Sequence, residues 1–136
     1  MNDTDEYAMS LADQMARKSP DPKTKVGCVI VKSHLGLAVV LASGYNHFPS
    51  GMAIVPDINS SFDKKRYIIH AEMDAISNLA GYTSGQNMVL YVTHAPCDNC
   101  CRMIAAVGIR TVVFRNIHKR SDVHLLEDLG ITWRQV

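Results

Sequence analysis

Apolar positions change their period several times along the chain, and each change marks an element. Ala8, Leu11, Ala12 and Met15 recur at i, i+3, i+4 and i+7, which predicts an amphipathic helix over residues 4–18 with Asp3 or Thr4 as N-cap. Ser19-Pro20-Asp21-Pro22 stops it. Two apolar runs follow, Val26 to Val31 and Leu37 to Ser43, and the polar link Lys32 to Gly36 between them predicts a β-hairpin. The turn-rich stretch that opens at Gly44 reads as a loop to about Tyr67, a length at which a function is expected.

The helical period returns at His70 to Ala80, with Met73, Ala75, Ile76 and Leu79 on the buried side and Gly81 as a left-handed stop. Met88 to Thr93 reads as a strand, and Pro96 suits the first turn of a third helix. That helix carries Cys100, Met103, Ile104 and Val107 on one stripe and stops at Gly108. Thr111 to Phe114 is a strand, Asp122 to Leu129 a short helix ended by Gly130, and Ile131 to Trp133 a last strand. The order α-β-β-α-β-α-β-α-β predicts a three-layer α/β/α fold around a five-stranded mixed sheet. At 136 residues, one domain spanning 1–136 is expected.

Composition narrows the class. Apolar residues make up 47% and charged residues 20%, ordinary for a globular protein. The net charge of +1 lacks the basic excess of a protein that grips a nucleic-acid backbone, so a small-molecule substrate is expected and a polynucleotide is not. The acidic start, Met1-Asn2-Asp3-Thr4-Asp5-Glu6, is unlike a signal peptide, and the apolar run Leu37 to Ala42 is far too short to span a membrane. A reducing cytoplasm is therefore expected, the host's if the gene is viral, with the four cysteines as thiols and metal ligands.

Two short runs carry the chemistry: His70-Ala71-Glu72 and Pro96-Cys97-Asp98-Asn99-Cys100. Residues three apart are neighbours on a helix, so Cys97 and Cys100 present both sulfurs on one face. His70 completes a His/Cys/Cys set that leaves the fourth position of a tetrahedral Zn²⁺ open to water. Glu72 lies about 200° round a helix from His70, poorly placed as a further ligand and better suited to moving protons. Two thiolates neutralise the metal and weaken it as a Lewis acid, which makes such a base necessary. Helix N-termini at both runs favour the anionic thiolates. A redox pair or a structural zinc knuckle is the competing reading of Cys-x-x-Cys. A closed site would need a fourth ligand, and the spare cysteines do not provide one: Cys101 faces about 100° away from Cys100, and Cys28 sits in an apolar run.

The combined pattern H-x-E…P-C-x-x-C is the signature of the zinc deaminases. From about Tyr7 to Trp133 the chain resembles the deoxycytidylate (dCMP) deaminases of the cytidine deaminase-like superfamily. The more specific marks are Val26-Gly27, Gly44-Tyr45-Asn46 followed by Pro49-x-Gly51, the run His70-Ala71-Glu72-Met73-Asp74-Ala75-Ile76, and Tyr91-Val92-Thr93. Two positions depart from the family: His47 stands where glycine is usual, and Asp74 where asparagine is usual. The stretch between Gly51 and His70 is also short and shows no further metal ligands.

The resemblance implies zinc-dependent hydrolysis of dCMP to dUMP and ammonia, with water attacking C4 and Glu72 passing protons to N3 and then to the leaving amino group. It further implies that Asn46 contacts sugar or base, that the Ala71 N–H bonds the base oxygen, and that the enzyme is a homo-oligomer, often a hexamer. With His47 at the turn associated with regulatory nucleotides, control by dCTP or dTTP is not expected. Lys23, before the first strand, and Lys119-Arg120, after the fourth, are the expected phosphate contacts. Lys64-Lys65-Arg66 reads as a solvated face that can help hold an anion, and His34, His94 and His124 as surface or hydrogen-bonding residues. Alternatives are another cytosine substrate (CMP, deoxycytidine, dCTP or a 5-substituted dCMP), a guanine or tRNA adenosine deaminase, and a non-catalytic zinc-binding assembly subunit.

Overall fold

The computed structural model describes residues 2–79, 86–118 and 121–136. Along these residues the elements are α1 (Asp3–Ala16), β1 (Gly27–His34), β2 (Leu37–Tyr45), α2 (Ser61–Tyr67), α3 (Ala71–Ser77), β3 (Met88–His94), α4 (Asp98–Val107), β4 (Thr111–Asn116), α5 (Val123–Asp128) and β5 (Thr132–Gln135). The strands form one sheet in the order β2-β1-β3-β4-β5. β1 is antiparallel to both β2 and β3, while β3, β4 and β5 run parallel. This is the expected mixed sheet between helix layers.

Side-chain alternation along the strands divides the core. Val29 and Val31 of β1, Tyr91 of β3 and Val113 of β4 pack with Ala8, Met9 and Ala12 of α1 on one face. Cys28 and Ile30, Leu90 and Val92, and Val112 and Phe114 point to the other face, against Ala71 and Ala75 of α3, Cys101 and Ile104 of α4 and Leu126 of α5. Parallel strands need crossovers, and α4 and α5 supply them. A buried polar contact holds α1 in place: the Tyr91 hydroxyl donates to Asp5 at 2.7 Å, and Arg134 of β5 pairs with the same carboxylate. Two glycines allow the closest approaches. A Cβ on Gly27 would stand 1.9 Å from the Ala12 carbonyl oxygen of α1, and one on Gly44 would stand 2.4 Å from the Ala75 nitrogen of α3.

Several boundaries differ from the sequence reading, each for a local reason. The cap of α1 is Asn2, whose side chain accepts from the Asp5 N–H at 2.8 Å, so the helix starts before Thr4 and ends at Ala16. The hairpin link shrinks to Leu35-Gly36, both at positive φ, as a two-residue turn requires; Lys32 to His34 continue β1. The long loop is interrupted by α2, capped by Ser60, whose Oγ accepts from the Asp63 N–H. No residue of α2 is buried, so it carries no apolar period to betray it. Pro96 precedes the cap of α4 instead of entering its first turn, because Cys97 itself is the N-cap. α3 stops at Ser77 with Asn78 as its cap, and Gly81 lies outside the described residues. Among the described residues, no helix is long and apolar enough to cross a membrane.

Candidate metal centre and active-site cavity

His70 and Cys97 are N-cap residues, the first of α3 and the second of α4. Both caps follow directly on the sheet: Cys97 lies three residues past the end of β3, and Ile69, next to His70, bridges His47 just past the end of β2. The Nδ1 of His70 lies 3.5 Å from the Cys97 sulfur and 3.4 Å from the Cys100 sulfur. All three donor atoms fall within 4.8 Å of one another. Zinc bonds of about 2.0–2.1 Å to nitrogen and 2.3 Å to sulfur, at the tetrahedral angle, place such donors about 3.6 Å apart. The three side chains therefore have the spacing that a tetrahedral zinc ion needs.

Their electrostatics agree with that fit. The Cys100 thiol hydrogen-bonds the Cys97 sulfur, and with the His70 imidazole beside it this pulls the Cys97 thiol down to about 3. Cys100 is pushed far up by the same neighbour and by burial, while His70 is raised by its hydrogen bond to Cys97. One cation among the three lets both sulfurs be thiolates, which their mutual repulsion otherwise forbids. Glu72, second residue of α3, is 4% exposed and lines the same cavity. Burial raises its carboxyl to about 7, against the opposing pull of His70. A carboxyl held near neutrality both takes and gives protons at physiological pH.

The cavity has a volume of about 570 Å³ and is walled by Asn46, Ala71, Glu72 and Cys97 among others. The profile of the cytidine and deoxycytidylate deaminase zinc-binding region matches residues 2–116, from α1 through β4. The chain belongs to that family. The probable deoxycytidylate deaminase of Drosophila melanogaster is 36% identical over 149 residues, covering 96% of this chain and 71% of that protein. Human deoxycytidylate deaminase is 34% identical over 115 residues, covering 80% of this chain and 62% of its own length. Among solved structures, the dCMP deaminase of cyanophage S-TIM5 in complex with dCMP and dUMP superposes with a TM-score of 0.84 at 29% identity, over 100% of this chain and 99% of the other.

Within this deaminase scaffold the other expected residues divide. Asn46 and Ala71 line the cavity. The Asn46 side chain already accepts from the Val26 N–H at 2.8 Å and donates to the Thr24 carbonyl at 2.9 Å. One amide hydrogen and one oxygen lone pair are left for a ligand. Ala71 is the first residue of α3, so its N–H has no acceptor within the helix. Lys23 is not among the lining residues; its backbone N–H bonds the Asp21 carboxylate in a turn that leads into Thr24. Lys119 and Arg120 lie outside the described residues. Among the described residues, Lys64 and Lys65 of α2, within the long segment for which a function is expected, are the lysines on the wall. His94 and His118 line it too, and burial with the charges of His118 and Arg115 lowers the pKa of His94. The Lys-Lys pair was the only sequence signal for this cationic wall, since nothing local marks His94 or His118 as cavity residues.

Proposed function

We infer that the protein is a zinc-dependent deaminase that converts dCMP and water to dUMP and ammonia, in pyrimidine deoxynucleotide metabolism. The observation that carries this reading is the cluster of His70, Cys97 and Cys100 beside a buried carboxylate, Glu72, with His70, Glu72 and Cys97 on the wall of one cavity. The naming of the fly and human relatives and the dCMP and dUMP held by the cyanophage enzyme support the choice of substrate.

His70, Cys97 and Cys100 would hold the ion, which supplies a Lewis acid able to lower the pKa of a water at its open position. Glu72 accepts the proton of the attacking water and delivers it to N3 of the cytosine ring. It then carries the remaining hydroxyl proton to the 4-amino group, which leaves as ammonia while C4 becomes a carbonyl. The free amide hydrogen of Asn46 and the N–H of Ala71 orient the sugar and base. Lys64 and Lys65 replace Lys23 as the described cations able to hold the 5′-phosphate. Lys64 is also 3.4 Å from the Asp21 carboxylate, which leaves Lys65 the stronger candidate. A homo-oligomer in a reducing compartment belongs to the same reading. Leu37 and Val39 stand exposed on the edge strand β2, where a second copy would cover them, and all four cysteines are free thiols.

The test is ammonia release from dCMP, CMP, deoxycytidine and dCTP, with wild type and Lys65→Ala. The expected order puts dCMP at least about tenfold ahead of deoxycytidine in kcat/KM, with Lys65→Ala raising KM for dCMP and not for deoxycytidine. Equal efficiency on the nucleoside would overturn the monophosphate assignment. No ammonia from any of the four would overturn the reaction itself and favour a non-catalytic assembly subunit.

A further inference from the structure

The two positions at which the chain departs from the dCMP deaminase pattern touch each other. The His47 Nε2 lies 3.2 Å from an Asp74 carboxylate oxygen, with the two side chains only 25% and 17% exposed. The other Asp74 oxygen accepts from the Tyr45 N–H at 3.1 Å, and His47 Nδ1 lies 2.8 Å from the Phe48 carbonyl oxygen. Both ring nitrogens thus face oxygen atoms. His47 also exchanges two backbone hydrogen bonds with Ile69, at 3.1 and 2.8 Å.

These contacts join the two walls of the cavity. His47 immediately follows Asn46, Ile69 immediately precedes His70, and Asp74 sits on α3 one turn beyond Ala71 and Glu72. The backbone bridge fixes how far apart the walls stand at one point. It leaves the half-buried residues 47–49 free to shift about that point, because α3 itself is packed through Ala71 and Ala75. The side-chain pair adds a second attachment of that segment to the helix, one turn along. Close approach at Gly44, whose missing Cβ would collide with Asp74 and Ala75 of α3, brings β2 near enough for the pair to form.

We propose that His47 and Asp74 form a latch that sets the gap between Asn46 and the start of α3, and so act as positioning residues for substrate binding. The latch rests on the deaminase reading for its substrate, but not for its geometry. α3 is held independently by the buried Ala71 and Ala75 and by Leu79 just past its end, whereas His47, Phe48 and Pro49 are only half-buried. Asn46 itself is tied to Val26 and Thr24, so release of the latch loosens residues 47–49 beside it more than it moves Glu72, and its effect falls on KM.

The experiment is a double-mutant cycle on the zinc-loaded enzyme, measuring kcat and KM for whichever cytosine substrate the wild type turns over best. His47→Ala is expected to raise KM about tenfold with kcat within about threefold, Asp74→Ala to raise it at least as much because the Tyr45 bond is lost too, and the double variant to match Asp74→Ala. Asp74→Asn is expected to restore KM to within about twofold. Its oxygen can accept from Tyr45 while its amide donates to a neutral His47, so the latch closes without the charge. Thermal melts of the same proteins separate positioning from folding, because a merely structural pair would lower Tm and leave KM unmoved. Unchanged KM in both alanine variants, multiplicative effects in the double variant, or a failed rescue by asparagine would each overturn the latch. A wild type without deaminase activity would instead overturn the functional reading, and the cycle would then be read on binding of dUMP by calorimetry, with the same outcomes in Kd.

Discussion

Gly44→Ala is the substitution that most directly couples the packing of this fold to its chemistry. An alanine Cβ at this position would stand 2.4 Å from the Ala75 nitrogen, 2.6 Å from the Ala71 carbonyl oxygen and 2.8 Å from the Asp74 Cβ. Ordinary contact begins at 3.4 Å, and two of the three atoms are backbone, so α3 must retreat from β2 by about 1 Å. Overpacking of a tight core costs about 1–3 kcal/mol, and the rigidity of the helix backbone puts this case at the upper end, about 2–3 kcal/mol. For a chain of this size that corresponds to a fall in Tm of roughly 8–12 °C. The same helix begins at Ala71 and Glu72 with His70 as its cap, so the retreat also carries the site with it. A misplacement of ~1 Å costs up to ~10²-fold in rate, and kcat/KM is expected to fall by about that factor at a temperature where the variant is folded.

The control is Gly36→Ala at the hairpin turn, where a Cβ meets nothing within 4 Å and the only cost is the positive φ of +77°. That strain is worth about 1–2 kcal/mol. It should lower Tm measurably and leave kcat/KM within about twofold. Melting followed by circular dichroism and steady-state ammonia release at 20 °C below each variant's Tm check both values. A Gly44→Ala protein with Tm within about 2 °C of wild type and kcat/KM within twofold would refute the reasoning. So would a Gly36→Ala protein as inactive as Gly44→Ala.

Cys97→Ala and Cys100→Ala should each reduce zinc from about one ion per chain to almost none by elemental analysis, and full zinc in either would remove that residue from the ligand set. Glu72→Gln should keep its zinc and lose ~10²–10⁴ in kcat, as expected when a positioned acid–base group is removed; a variant keeping a tenth of wild-type kcat would exclude this role. In the metal-free protein, the same carboxyl makes stability depend on pH. Its folded pKa, about 7, is raised above the ordinary 4.5 by burial. The folded state therefore holds the proton more tightly than the unfolded chain. Stability from this group is fully present below pH 4.5 and is lost as pH rises through about 7, by about 3 kcal/mol in all at 1.36 kcal/mol per unit. Metal-free Glu72→Gln should match wild type near pH 4 and exceed it in urea melts at pH 8, and equal stability at both values would count against a buried, destabilised carboxylate.

Much of this molecule is written in local pattern, and for that reason it could be read before any fold was known. The i, i+3, i+4 spacing of Ala8, Leu11, Ala12 and Met15, the strand-like runs around Val29, Leu90 and Val112, and Gly108 as a left-handed stop are decided by neighbours within one or two turns. The Cys-x-x-Cys spacing likewise puts two sulfurs together without help from the rest of the chain. α2 escaped because a short helix with no buried residue has no hydrophobic period; only its Ser60 cap could have signalled it.

Tertiary structure decided whatever depends on which strand lies beside which. Alternation within β1 says that Val29 and Ile30 face opposite ways, but not which face meets α1, nor that β3 lies between β1 and β4. That order brings His94, His118, Lys64 and Lys65 to one cavity wall and leaves Lys23 off it. It also explains why His47 and Asp74, read separately as departures from a family pattern, are one feature. Their pairing depends on β2 lying against α3 at Gly44, a contact between segments about thirty residues apart that no local period encodes.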